Sequence, residues 1–173
     1  EGYTTVVIKR RQIYKNMITV ERLNTIIQQM VIDHMQVMDI LENHQLCQKS
    51  KFAMIGVSQG GLKTSMIAAF DKRVKAAVIA IAGGDIPYIL ANSEENGVIQ
   101  RRDKYLNEIG LSVEEFETAI RAKLKYDPLV CAHYIDSKNI MIINAYFDNC
   151  VPYSCGQKLV EAHQGCEEMV LGT

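Results

Sequence analysis

Residues 51–69 read KFAMIGVSQGGLKTSMIAA, and this stretch decides the fold. An apolar run at 52–55 leads into GVSQGG at 56–61, and helix-forming residues follow. The pattern predicts a buried strand, a tight turn and a helix. Gly-x-Ser-x-Gly in this context is typical of a nucleophile elbow. The turn would lift the Ser58 hydroxyl clear of the sheet, at a helix start where the helix dipole favours a developing negative charge.

The residues around the serine have separate expected roles. Ser58 is the candidate nucleophile. We expect glycine to be required at Gly56 and Gly60, because a Cβ at either position would collide with the crossing backbone. The backbone N–H of Gln59, the residue after the nucleophile, is the expected donor of an oxyanion hole.

A phosphate-binding loop is the sharpest alternative for the same stretch. Gly56 and Gly61, followed by Lys63 and Thr64, nearly spell G-x-x-x-x-G-K-[ST]. However, Leu62 separates the last glycine from the lysine, and one inserted residue turns both side chains by about 100° around the helix. The spacing therefore favours the nucleophile over the phosphate loop.

Composition bounds the classes of partner. The chain has 173 residues, enough for one domain with a sizeable core, and a net charge of −1 with 23% charged residues. Nothing in this balance indicates a nucleic-acid partner. No run of about 20 apolar residues predicts a membrane span. The five cysteines form no C-x-x-C pair, so free thiols are expected rather than a metal site or a disulfide framework.

Strands and helices alternate along the chain. The predicted strands are 2–8, 52–55, 74–82, 140–145 and 168–171, and the long predicted helices are 22–43 and 153–163. Residues 74–82, VKAAVIAIA, are almost continuously apolar, as in a strand buried on both faces of a parallel sheet. The pattern predicts an α/β fold with a doubly wound, mostly parallel sheet.

One long segment interrupts this alternation. Residues 86–139 separate two predicted strands, and they contain two predicted helices. One lies near 97–109 and is stopped by Gly110, and the other begins after the capping box of Ser112 and Glu115. We expect this segment to be a helical insertion that caps the active site. The alternative is a packing decoration with no role in binding.

An acidic residue follows the strand at 140–145. Asp148 would lie at the same edge of the sheet as Ser58, where an acid can orient a histidine and stabilise its cation. The chain order of serine before acid supports this role. The alternative is an Asx turn in the loop. Asp127 and Asp136 are weaker candidates, because neither follows directly on a strand.

At this point the chain resembles the α/β-hydrolase superfamily from end to end. The matching pieces are GYTTVVIK at 2–9, GVSQGG at 56–61, VKAAVIAIAGGD at 74–85 and IMIINAYFDNCVP at 140–152. G-x-S-Q-G-G with D-x-x-V-P is similar to acetyl xylan esterases, dienelactone hydrolases and prolyl-oligopeptidase-like domains. The resemblance implies a Ser-Asp-His triad, a small-molecule acyl substrate, no metal and no organic cofactor.

The histidine of that triad is not evident. His163 follows Asp148 but lies on a predicted helix that points it away from the strand ends. His34, His44 and His133 break the chain order of serine, acid and histidine. We therefore expect a fragment of a longer hydrolase, with the histidine loop beyond its end and the initial strands and a second oxyanion donor before its start.

Two functional classes remain open at this point. The first is a serine hydrolase that cleaves an ester or related acyl bond. The second is a non-catalytic protein that uses the hydrolase fold as a binding scaffold, because fold alone does not fix function.

Overall fold

The structure is a computed structural model that describes residues 3–9, 19–47 and 51–172. The strands are β1 (Phe52–Val57), β2 (Val74–Ala80), β3 (Ile140–Ala145) and β4 (Glu167–Leu171). The helices are α1 (Leu23–Glu42), α2 (Gln59–Phe70), α3 (Ile86–Asn92), α4 (Asn96–Ile109), α5 (Val113–Lys123), α6 (Pro128–Cys131) and α7 (Tyr153–His163). Short 3₁₀ turns at Ala132–Tyr134 and Ser137–Asn139 lead into β3.

The four strands form one parallel sheet in the order β1-β2-β3-β4. Val57 at the end of β1 pairs with Ala80, and Ala80 pairs with Ile143 of β3. The carboxyl ends of these strands are therefore level. The predicted α/β class and parallel sheet are confirmed, because strands that alternate with helices pair in parallel through crossover connections.

One face of the sheet carries the core. Phe52 and Met54 of β1 pack against a cluster built from α1, α2 and the helices between β2 and β3. Ile79 of β2 and Ile142 of β3 are fully buried on this face, in contact with the cluster that includes Leu159 of α7. The alternation of inward residues along each strand places one side chain in two on this face.

The opposite face is apolar but largely uncovered by the described residues. Ile55 and Val57 of β1 are 76% and 57% exposed, and Met169 and Leu171 of β4 are also exposed. The prediction that the strand at 74–82 is buried on both faces is therefore wrong at its beginning, where Lys75 and Ala76 are exposed. An apolar strand sequence indicates that both faces could be buried. Which face is buried depends on the elements that pack against it.

The first predicted strand is not formed within residues 3–9, which are the part of it that the structure describes. Residues 3–9 have no regular secondary structure and are mostly exposed, so the strand expected at 2–8 is wrong for the residues that are described. Gly2, the first residue of that prediction, lies outside the described residues. β-Branched composition is only a weak preference, and a strand forms where a neighbouring strand supplies its hydrogen bonds.

Helix ends follow local chemistry closely. The predicted helix 22–43 is confirmed as α1, and the capping box is present, with the Ser112 hydroxyl accepting from the Glu115 N–H while the Glu115 carboxylate accepts from the Ser112 N–H. Gly110 ends α4 in the left-handed conformation, as its position predicts. Between β2 and β3, the sequence predicted α4 and α5 but missed α3 and α6.

An ion-pair network fixes the amino-terminal end of β2. Asp71, which is 4% exposed, pairs with Arg73 at 2.6 Å, and Arg73 also reaches Asp39 and Glu42 of α1. Although burial raises the pKa of the Asp71 carboxyl, its hydrogen bonds with Arg73 are the larger effect and lower it. This network lies at the end of the sheet opposite to Ser58.

Candidate functional site

Ser58 occupies a strained turn between β1 and α2. Its φ is +52° and its ψ is −121°, in a region that non-glycine residues rarely adopt. Its N–H donates to the Ala80 carbonyl at 2.9 Å, and its carbonyl accepts from the Leu62 N–H at 3.1 Å. The hydroxyl makes no capping hydrogen bond to α2, and the residue is exposed. The turn therefore presents the hydroxyl to solvent at the carboxyl end of the sheet.

The glycines of the turn differ from the sequence expectation. A Cβ at Gly56 would overlap the Gly60 carbonyl and the Thr64 hydroxyl, so glycine is required there. A Cβ at Gly60 would meet nothing within 4 Å, so the predicted collision at Gly60 is wrong. The closely packed neighbour is Gly61, whose Cβ would lie 2.5 Å from the Ala82 Cβ. The helix turns Gly61, rather than Gly60, toward β2.

Gln59 is the first residue of α2, so its backbone N–H belongs to the first turn of the helix beside Ser58. Gly60 and Gly61 already lie within α2. No glycine-rich loop separates the strand from the helix, so the phosphate-loop alternative has no backbone cradle for a phosphate here.

Asp148 follows β3 at the same edge of the sheet and is half-buried. Its Oδ1 accepts hydrogen bonds from the N–H groups of Cys150 at 2.8 Å and Val151 at 3.0 Å. This is the Asx turn that was the alternative interpretation. The two N–H groups fix the carboxylate at one oxygen, and Oδ2 accepts no hydrogen bond from the described part of the chain. The Asx turn and an orienting role are thus compatible.

The weaker acid candidates have structural roles. Asp127 caps α6 by accepting from the Leu129 N–H at 2.9 Å, and it also accepts from the N–H groups of Asp85 and Ile86. Asp136 caps the 3₁₀ turn before β3 through the Lys138 N–H, at the amino end of that strand.

The histidines lie away from the strand ends. His163 is the last residue of α7, about 15 Å along the helix from the end that follows the Asp148 loop. It is 3% exposed, neither ring nitrogen has a hydrogen-bond partner among the described residues, and burial lowers its pKa. His34 is held on α1 by the Met30 carbonyl at 2.7 Å, while His44 follows the end of that helix. His133 stacks on Tyr134, 3.9 Å between ring centroids.

Asp85 is a buried carboxylate at this edge that sequence reasoning did not single out. It is 6% exposed, and its oxygens pair with Lys158 of α7 at 2.5 Å and Arg121 of α5 at 2.8 Å. Burial alone raises the pKa of the Asp85 carboxyl, but the two cations outweigh it and hold that pKa below its usual value. The signal in the sequence was Gly83-Gly84-Asp85 at a strand end, but the two cations lie 73 and 36 residues away.

All five cysteines are free thiols. Cys131 and Cys155 are buried, and burial raises the pKa of each thiol to about 11, which suits packing rather than nucleophilic attack. Within the described residues, no group of His, Cys, Asp and Glu side chains has the arrangement of a metal site. In the same part of the chain, none of the helices combines the length and apolarity needed to span a bilayer.

Solved structures with the same fold are numerous. The α/β-hydrolase GrgF from Penicillium sp. sh18 aligns with a TM-score of 0.57 and 20% identity over 84% of this chain and 63% of that one. Acetyl xylan esterase 1 from Thermoanaerobacterium sp. JW/SL YS485 aligns with a TM-score of 0.63 and 18% identity, over 98% of this chain and 52% of that one. Pyrococcus horikoshii acylaminoacyl peptidase aligns with a TM-score of 0.60 and 15% identity, over 87% of this chain and 24% of that one. At these identities the likeness shows the fold.

This chain thus spans between 24% and 63% of the lengths of those three structures. No curated protein sequence matches it. A family model does: that of the prolyl oligopeptidase family matches residues 26–169, which cover most of the chain, including β1, the strained turn at Ser58, the Asp148 loop and α7. The chain therefore belongs to the prolyl oligopeptidase family, and its fold is that of the α/β-hydrolases.

Proposed function

We propose that this chain carries the nucleophile and the acid of a serine hydrolase that cleaves an ester or related acyl bond. The observation that carries the proposal is the exposed Ser58 hydroxyl at a turn with φ of +52°. A strained conformation in a β-strand-to-helix turn is costly, and proteins keep such strain mainly at functional sites. The membership in a peptidase family supports the same class of chemistry.

In the proposed mechanism, Ser58 Oγ attacks the carbonyl carbon of the substrate while a histidine takes the hydroxyl proton. The tetrahedral intermediate collapses, the histidine gives its proton to the leaving alkoxide, and an acyl-enzyme remains. Water then attacks the acyl-enzyme by the same route and releases the acid. The Gln59 backbone N–H, which belongs to the first turn of α2, is the proposed donor to the oxyanion.

Asp148 is the proposed partner of that histidine. β1 and β3 are separated only by β2, so their level carboxyl ends lie about 10 Å apart. Side chains that lean toward each other across this distance leave room for one imidazole with a hydrogen bond at each nitrogen. None of the four histidines has this location, so we propose that the histidine comes from outside these 173 residues.

The test is covalent labelling by a fluorophosphonate probe. The longest natural polypeptide that carries this chain should be labelled at Ser58, and Ser58→Ala should abolish labelling. Ser154→Ala is the matched control, because Ser154 is also an exposed serine at a helix start but lacks the strained turn. Labelling that survives Ser58→Ala would assign the nucleophile to another residue and overturn the role of Ser58. No labelling where a control hydrolase reacts would favour the non-catalytic scaffold instead.

Peptide amides are a second candidate substrate class. The matched family is named for an oligopeptidase, and the same triad cleaves amides when the histidine protonates the leaving amine. Parallel assays with p-nitrophenyl esters and p-nitroanilides of the same acyl groups separate the two classes. A kcat/KM for esters that exceeds that for anilides by far more than their intrinsic reactivity difference supports the esterase assignment.

A further inference from the structure

Asp85 is a fixed point at the exit of β2. Its backbone is left-handed, with φ of +66°, which is unusual for a residue other than glycine. The Asp127 carboxylate holds this conformation by accepting from the Asp85 N–H at 3.0 Å and the Ile86 N–H at 2.7 Å. The side chain is thereby presented from a rigid backbone, because both its own amide and the next one are tied to the same acid.

Two cations from distant parts of the chain meet at this carboxylate. Lys158 of α7 and Arg121 of α5 reach its two oxygens, and Arg121 also pairs with Glu117 at 2.6 Å on its own helix. The cations are half-exposed, 45% and 52%, whereas Asp85 is 6% exposed. A buried charge is costly unless it is paired, so the carboxylate favours the arrangement in which Arg121 of α5 and Lys158 of α7 both stay beside the segment that follows β2.

The segment after β2 also contacts the first turn of α7 directly, through Gly83 and Gly84. The Gly84 N–H donates to the Cys155 carbonyl at 3.0 Å, and the space for a Cβ at Gly83 is filled by Cys155. Cys155 is fully buried, two residues into a helix that begins at Tyr153. Lys158 follows one turn later on the same helix. The ion pair and the backbone contact therefore fix the same end of α7.

That end of α7 carries the Asp148 loop. Only residues 149–152 separate Asp148 from the helix. Val151 is 7% exposed and packs in one small cluster with Ile89 of α3 and Cys155 of α7. The Asn149 carbonyl accepts from the Glu94 N–H at 2.9 Å. The loop is therefore held between α7 and the segment that follows β2.

From these contacts we propose that Asp85 is a positioning residue, whose ion pairs with Lys158 and Arg121 lock α7 and the insertion onto the exit of β2 and so fix the Asp148 carboxylate. The catalytic consequence rests on the proposed function, but the mechanical one does not. Asp85 is not itself the acid of the triad, because both its oxygens are engaged and it is shielded from solvent.

The test compares two aspartates, Asp85 and Asp71, which are similarly buried and ion-paired and lie near opposite ends of β2. Asp85→Asn removes the charge that holds Lys158 and Arg121 together, and Asp71→Asn removes the charge that pairs with Arg73. Asp71 is as buried as Asp85, so it controls for the general loss of stability. Hydrogen exchange, read by mass spectrometry on peptides that cover 149–155, reports the loop without any need for activity.

We expect Asp85→Asn to speed exchange in 149–155 by about tenfold or more, and Asp71→Asn to leave it unchanged. Equal exchange in Asp85→Asn and the parent, or an equal increase in Asp71→Asn, would overturn the proposal. If Asp85→Asn does not fold, Lys158→Met gives the same test, because it removes one cation and keeps the aliphatic stem. Faster exchange in 149–155 for this variant supports the lock, and unchanged exchange overturns it.

Kinetics in the longest natural polypeptide add a readout that a purely structural role would not move. A displaced Asp148 lowers kcat while KM stays close to its parent value, since the acid acts on the histidine and not on substrate binding. We expect a decrease in kcat of about tenfold for Asp85→Asn, because small misplacements of catalytic groups cost up to 10²-fold. Labelled Ser58 with unchanged exchange in Asp85→Asn overturns the lock and leaves the hydrolase assignment intact. Unlabelled Ser58 with faster exchange overturns the hydrolase assignment and supports the lock.

Discussion

Two carboxylates follow neighbouring strands at one edge of the sheet, and their surroundings are opposite. Asp85, after β2, is buried and has a cation at each oxygen. Asp148, after β3, is half-buried, and backbone N–H groups hold only its Oδ1. In the first arrangement, cations of the protein itself already neutralise the charge of the carboxylate. The second fixes the orientation of the carboxylate and leaves one oxygen for a further donor.

Under the proposed function, the difference separates a structural acid from a catalytic acid at the same edge of the sheet. A carboxylate that must stabilise a transient imidazolium needs an accessible oxygen and a charge not already neutralised. A carboxylate that holds helices together needs cations at short range and shielding from water, which strengthens the attraction. Both acids follow a strand, so what distinguishes them is the set of groups that contact their carboxylate oxygens.

The largest expected effect is on activity. Asp148→Asn in the longest natural polypeptide should lower kcat by about 10⁴-fold, because an amide holds the histidine in the wrong tautomer. Asp85→Asn should lower kcat by only about tenfold, through displacement of the acid. Steady-state hydrolysis of p-nitrophenyl acetate measures both. A greater loss in Asp85→Asn than in Asp148→Asn would reverse the assignment of the two acids.

The next effect concerns packing at the exit of β2. In Gly83→Ala, the new Cβ would lie 2.5 Å from the carbonyl carbon of Cys155 and 2.7 Å from its oxygen. Because this contact is with backbone, α7 must shift, and we expect the free energy of unfolding to fall by about 2–3 kcal/mol. Urea unfolding measures it. Gly60→Ala is the control, since its Cβ meets nothing within 4 Å. An equal loss in both variants would contradict tight packing at Gly83.

A smaller effect is on stability, where we expect the Asp85 substitution to cost more than the Asp148 substitution. Asp85→Asn should lower the free energy of unfolding at pH 7 by about 2 kcal/mol, less than for a fully buried pair because both cations are half-exposed. Asp148→Asn should change it by less than about 1 kcal/mol, because the amide oxygen can still accept from Cys150 and Val151.

The dependence on pH checks the cause of that loss. The folded pKa of Asp85 lies below the unfolded value of about 3.9, so its stabilisation is present above that pH and is lost as the pH falls through the folded value. The parent and Asp85→Asn should therefore converge in unfolding experiments as the pH falls through the folded pKa of Asp85. A difference that stays constant through the whole acid range in which both proteins remain folded would exclude an ionic origin.

The smallest effect concerns His163, at the end of α7 that lies away from Lys158 and Asp85, and the dependence of stability on pH. Burial lowers the folded pKa of His163 below its unfolded value of about 6.5, so stability is lost as the pH falls below about 6.5. The parent should lose about 1 kcal/mol per pH unit in this window, and His163→Leu should flatten the slope. His133→Gln is the control, because His133 is exposed. An unchanged slope in His163→Leu would assign the acid sensitivity to another group.

Features formed by neighbouring residues could be predicted well. The turn at Ser58, the end of α4 at Gly110 and the capping box of Ser112 and Glu115 are each built within a few residues, so spacing and residue type contain the relevant physics. The position of Asp148 could be predicted for a similar reason, since a parallel strand that ends before an acid brings that acid to the carboxyl edge, whereas its catalytic role stays a prediction.

The failures share a different cause. The strand expected at 2–8 has β-branched residues but no neighbouring strand among those described, and Gly60 was assigned a contact that Gly61 makes. The two cations at Asp85 lie on helices far away in the sequence, and no local pattern relates them. In each case the answer depends on which element packs against which.

The sequence by itself determined the parallel α/β arrangement, the strained serine turn and an acid after β3, because backbone sterics, helix capping and hydrophobic periodicity act over a few residues. The tertiary structure alone decided which face of the sheet is covered, which glycine is tightly packed and which acid is locked by cations. Those outcomes depend on distances between segments that are remote along the chain, and burial changes the energetic weight of every charge that such segments bring together.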